Sequence, residues 1–92
     1  MERAKFALTV SFSDTTGEPV AAYLRVREGV VATTKEVSEG VAFADYSTTG
    51  SLLGIELLAP CSLAVMDQLG QNEAEPVRRF LRGGPPRELI VA

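Results

Sequence analysis

Between Lys5 and Arg27 the chain alternates apolar and polar residues through two runs, Phe6-Leu8-Val10-Phe12 and Val20-Ala22-Leu24-Val26, separated by SDTTGEP. Period-two alternation puts each apolar set on one face of a strand, and a Ser/Asp/Thr/Gly/Pro segment between two such runs is turn chemistry. The pattern predicts a β-hairpin with one buried face, and with Lys5, Thr9, Tyr23, Arg25 and Arg27 on the other. Such a hairpin is not stable alone, so its apolar face must be covered by the remaining chain or by a partner.

The remaining chain supplies more strands and then a cover. After the Glu28-Gly29 turn, Val30 to Ser38 is rich in β-branched residues but carries Thr33, Thr34, Lys35 and Glu36, as an edge strand would. Glu39-Gly40 turns the chain into a short fourth strand, Val41 to Tyr46. A polar loop, Ser47 to Ser51, leads to Leu52–Leu58, which is apolar on both faces apart from Gly54 and Glu56. That is the pattern of a central strand covered on each side. Pro60 ends it, and Leu63, Val65, Met66 and Leu69 then recur at helical spacing after Cys61-Ser62, with Gly70 closing the helix. Pro76 suits the first position of a second short helical turn carrying Val77, Phe80 and Leu81 beside Arg78, Arg79 and Arg82. The breaker Gly83-Gly84-Pro85-Pro86 precedes an apolar tail, Leu89-Ile90-Val91-Ala92. The expected fold is α+β, a mainly antiparallel β-meander of about five strands with one or two short C-terminal helices. Residues 1–82 form a single β-rich domain, and residues 83–92 a Gly/Pro hinge and a tail able to act as an exchanged strand.

Composition limits the chemistry. The 92 residues include no histidine, no tryptophan and one cysteine, Cys61. Without His the usual near-neutral general base, the Ser-His and Cys-His pairings and the commonest zinc ligand are all missing. These absences weigh against an enzyme, and no cofactor or metal is expected. One cysteine forms no internal disulfide, which fits a reducing compartment and makes the cytoplasm the expected location. The opening residues, from Met1-Glu2 onward, lack the continuous apolar run of a leader or a membrane span. The net charge of −3 gives no general attraction to nucleic acid or anionic membrane, although four arginines (Arg78, Arg79, Arg82, Arg87) make the last 17 residues locally basic. A chain this short buries roughly 60 to 65% of its unfolded surface, a small core that association would reinforce.

The string VAFADYSTTGSLLGIELL, residues 41 to 58, places an Asp-Tyr before a turn, a glycine in the turn and then GIELL. Together with Ala22-Tyr23-Leu24 and Glu39-Gly40, it resembles the family known as domain of unknown function 2283 over roughly residues 19 to 62. The resemblance implies a small, β-rich, soluble, mostly bacterial protein and brings no activity, cofactor or catalytic residue. The family pattern usually has a second acidic residue after the tyrosine, where this chain has Asp45-Tyr46-Ser47-Thr48. Residues 71 to 92 lie outside the match.

Four groups of residues are candidates for function. Asp45 and Glu56 fall on neighbouring strands, where two carboxylates brought together can act as acid and base or share a ligand; the structural alternative has Asp45 bonding turn amides and Glu56 pairing with Arg25 or Arg27. Tyr23 and Tyr46 could form an aromatic platform, and Arg25, beside Tyr23, could hold a phosphate or carboxylate. Cys61 could gain reactivity at a helix N-terminus, against the alternative of a buried structural thiol. Leu89, Ile90 and Val91 could add as a strand to a sheet edge, in their own monomer or in a neighbour. The leading expectation is a small non-enzymatic interaction module, acting as a homodimer or as an accessory subunit of another protein; the alternative is a small-ligand or hydrolytic site around Asp45 and Glu56.

Overall fold

The computed structural model describes residues 3–92 and shows an α+β fold; Met1 and Glu2, the first residues of the opening stretch expected to lack a leader, lie outside the described residues. Strands β1 (Ala4–Phe12), β2 (Pro19–Arg27), β3 (Thr33–Ser38), β4 (Ala42–Tyr46) and β5 (Leu52–Leu57) form one antiparallel sheet in the order β1-β2-β5-β4-β3. The short β6 (Cys61–Ser62) leads into helices α1 (Leu63–Gly70) and α2 (Glu75–Gly83). After a 3-10 turn at Arg87–Leu89, β7 (Ile90–Val91) pairs in parallel with β6.

Alternation in β1 and β2 gives the expected hairpin. Ser13 accepts from the Gly17 amide, and Gly17 takes φ +74°, which glycine adopts without strain. The sheet departs from a simple meander because β5 inserts between β2 and β4. Its Leu-Leu-Gly-Ile-Glu-Leu composition suits the middle of the sheet, where both edges are hydrogen-bonded and burial is greatest. The inner face buries Ala22, Leu24, Val26, Ala42, Ala44, Ile55 and Leu57 against Met66, Val77, Leu81 and Leu89. Each fully buried Leu, Ile or Met contributes about 1.5–3 kcal/mol of transfer free energy.

A register shift between Asp45/Gly54 and Tyr46/Leu52 turns Leu52 to the core while Leu53, also buried, meets Gly29 of the β2–β3 loop. Cover on the outer face of β5 thus comes from a loop and from Tyr23, not from a second layer. The α1 helix starts at the Ser62 cap, whose hydroxyl accepts from the Ala64 amide at 3.2 Å. α1 ends at Gly70, as expected, and a β-carbon there would press on Arg78 and Leu81 at 3.3 Å, so its smallness also lets α2 pack closely. The tail is part of this unit, with Leu89 in the core cluster and Ile90–Val91 bonded to the chain's own Cys61–Ser62.

Candidate functional site

The outer face of β2, β5 and β4 carries the polar candidates Tyr23, Arg25, Asp45 and Glu56. Register places Tyr23 opposite Glu56, and both Arg25 and Asp45 opposite Gly54. Gly54 leaves the space on which the site depends, because a β-carbon there would overlap the Tyr23 ring and hydroxyl. Its absence lets the tyrosine lie across β5 and donate to Asp45 Oδ2 at 2.8 Å, while Thr34 of β3 donates to Asp45 Oδ1 at 2.6 Å. One carboxylate therefore ties β2 to β4 and β4 to β3 over the top of a glycine.

This geometry commits both oxygens of Asp45 to structural hydrogen bonds. Each of its oxygens already accepts a hydroxyl, and burial, the hydrogen bond to Asp45 and that carboxylate's charge push the Tyr23 phenol up to about 12. Tyr23 is held protonated and is a poor nucleophile or base. Glu56 is exposed and stands opposite Phe43 and Tyr23, diagonal to Asp45, and among the described residues no hydrogen bond joins the two carboxylates. Arg25 sits 6.0 Å from the Tyr23 ring centre. The structural pairings also fall elsewhere than expected: Arg27 bonds Glu73 at 2.9 Å and the Leu52 carbonyl at 2.6 Å, and Glu36 accepts from the Gly40 amide. Among the described residues no cluster of three or more acidic or cysteine side chains is arranged to hold a metal.

Tyr23 and Tyr46 form no joint platform, since strand parity sends them to opposite faces. Tyr46 packs on the core side, with Lys35 5.2 Å from its ring centre, and lines a cleft of about 460 Å³ with Val37, Leu52, Leu69, Asn72 and Glu73. Burial and the Glu73 charge raise the Tyr46 phenol as well. The Arg27–Glu73 pair beside this cleft is not legible in the sequence because its members are 46 residues apart; the one signal is a polar QNEAE link too long to be a bare turn. Cys61 is buried, and burial pushes its thiol up, the opposite of an activated thiolate. Of the tail arginines, Arg82 pairs with Asp67 at 3.2 Å and Arg78 donates to the Glu73 carbonyl.

The third surface lies along β1. Leu8 pairs with Leu24 and Val10 with Ala22, so these residues and Phe6 and Phe12 belong to the inner face by alternation. The helices reach only its start, where Phe6 stacks on Phe80 with centroids 4.5 Å apart and rings 6° from parallel. Phe6, Leu8 and Phe12 remain 41, 43 and 58% exposed, and Val20, at the bulge opposite Phe12, 48%. The outward edge of β1 is unpaired, because β1 ends the sheet. No family model, curated protein or solved structure matches this chain. No helix among the described residues is long and apolar enough to cross a membrane.

Proposed function

We propose that the chain is a small, soluble, cytoplasmic, non-enzymatic interaction module, acting as a homodimer or as the accessory subunit of another protein. The observation that carries this reading is the uncovered inner face of β1, where three large apolar side chains stand about half exposed beside an open strand edge. Contiguous apolar surface of this kind marks interaction sites, and an open edge adds a row of backbone donors and acceptors. We further propose membership of the domain of unknown function 2283 family. In support, the motif's Gly50 takes φ +85° in the β4–β5 turn and its Gly54 seats Tyr23. The alternative of a hydrolytic site at Asp45 and Glu56 finds less support, since each oxygen of Asp45 already accepts a structural hydroxyl and Glu56 stands diagonal to it across the strands.

The test is the mass, by light scattering, of the particle recovered with the tagged chain from its own cells. The wild type should exceed 9.8 kDa per particle, Phe12→Asp should reduce it to a single chain, and Val91→Asp on the tail should leave it assembled. A wild-type particle of one chain contradicts the module. Deleting residues 83–92 is a poor test, because it strips Leu89 from the core.

A further inference from the structure

We infer that the partner of the β1 edge is a second copy of this chain, joined β1 to β1 in antiparallel register about a two-fold axis at Thr9, so that two five-strand sheets become one of ten. This rests on the module reading and adds the partner and the register.

Parity gives the first argument. In an antiparallel pairing of a strand with itself, the numbers of opposing residues have a constant sum, and only an even sum sets inner-face residues against inner-face residues. An axis at Thr9 opposes Phe6 to Phe12 and Leu8 to Val10 on the inner face, and Ala7 to Ser11 and Thr9 to Thr9 on the outer. Aromatic, aliphatic and Thr–Thr cross-strand pairs are all favourable, and no like charges meet.

The bulge selects this axis. β1 runs in regular register with β2 from Ala7 to Ser11 and carries its extra residue between Ala4 and Ala7. The regular stretch is centred on Thr9. The neighbouring even-sum axes, at Leu8 and Val10, leave that regular stretch off centre, so that only Ala7 to Thr9, or only Thr9 to Ser11, would oppose one another within it.

Charge disfavours a centred self-pairing at the other edge. Pairing β3 with itself about its middle residues opposes Lys35 to Lys35 or Glu36 to Glu36. Along β1 the one charged side chain is Lys5, which lies beyond the Phe6–Phe12 overlap and pairs with the chain's own Glu28 at 3.5 Å.

Area supports association. The chain's accessible surface is 5765 Å², against roughly 5,200 Å² for a compact monomer of its mass from the surface scaling relation. The surplus of several hundred Å² is of the order that one partner contributes to a standard interface, about 800 Å².

The test is disulfide mapping of the full chain by single cysteines on the exposed outer face of β1; the native Cys61 is buried and stays out of the reaction. Thr9→Cys alone should cross-link to a dimer under mild oxidation. Ala7→Cys and Ser11→Cys should each fail alone but cross-link when mixed. Leu8→Asp should raise the dimer dissociation constant at least 100-fold while preserving the far-ultraviolet circular dichroism. Failure of Thr9→Cys to cross-link alone, with cross-links forming only once Ala7→Cys chains are added to it, would overturn the Thr9 axis. A wild-type chain that stays at 9.8 kDa and never cross-links would overturn self-pairing; the module reading would survive that result if Phe12→Asp still abolished recovery of a different protein.

Discussion

The two edges of the sheet are built on opposite plans. β3 is six residues long and offers Thr33, Thr34, Lys35 and Glu36 to solvent; Thr34 is tied to Asp45, Glu36 caps the Gly40 turn, and Lys35 lies near the Tyr46 ring. β1 is nine residues long, has one charged side chain and leaves its inner-face apolar residues half exposed. Short length and charge are the usual means by which a sheet edge is closed to neighbours. One edge carries them and the other does not. Within the five-strand sheet the exposed large apolar side chains therefore gather on β1 and the adjoining start of β2, at Phe6, Leu8, Phe12 and Val20.

The largest effect should come from reversing the character of β1. Leu8→Asp places two carboxylates near the proposed axis and should raise the dimer dissociation constant at least 100-fold, equivalent to about 2.7 kcal/mol, in sedimentation equilibrium. The converse change, Lys35→Val with Glu36→Thr, removes the charge guard of β3 and should produce species larger than the wild-type assembly in light scattering.

Gly54→Ala sharpens the contrast from the other side. The added β-carbon displaces Tyr23 and should destabilise the fold by about 1–3 kcal/mol in urea denaturation, loosening the tether to Asp45. Dimerisation should not change.

Smaller still is Tyr23→Phe, which should cost about 1 kcal/mol as one hydrogen bond is lost. It also alters the pH profile. The folded tyrosine titrates near 12 instead of 10, so the protonated form is favoured in the folded state. Its stabilisation is complete below pH 10 and disappears as pH rises from about 10 to about 12. Denaturation at a series of alkaline pH values should show that fall in the wild type and a reduced one in Tyr23→Phe; Tyr46, also raised, accounts for the remainder. The smallest effect belongs to Lys5→Ala on β1, below about 0.5 kcal/mol, because the Lys5–Glu28 pair is exposed.

Local pattern explains which parts of the fold are legible in the sequence. The alternation of Phe6 to Phe12 and Val20 to Val26 carries the hairpin, the apolar run Leu52–Leu57 carries the central strand, and the spacing of Leu63, Val65, Met66 and Leu69 carries α1. The illegible parts depend on register between distant residues. Sequence pattern points to Asp45, but as a partner for Glu56; the observed donor, Tyr23, reaches it only because β5 separates β2 from β4 and has Gly54 at that step. One residue of bulge decides that Leu52, and not Leu53, joins the core, and no periodicity announces a bulge. The open face of β1 has the same origin: alternation marks Phe12 for burial, and only the placement of α1 and α2 reveals that among the described residues it stays 58% exposed.

The most direct test of the contrast is residue-resolved amide exchange by nuclear magnetic resonance on the wild-type chain at a concentration where it is assembled. An unpaired edge strand protects alternate amides only, because every second N–H points to solvent. That alternation is expected along β3, with continuous protection from Phe6 to Phe12 on β1. Alternating protection on both strands would contradict it.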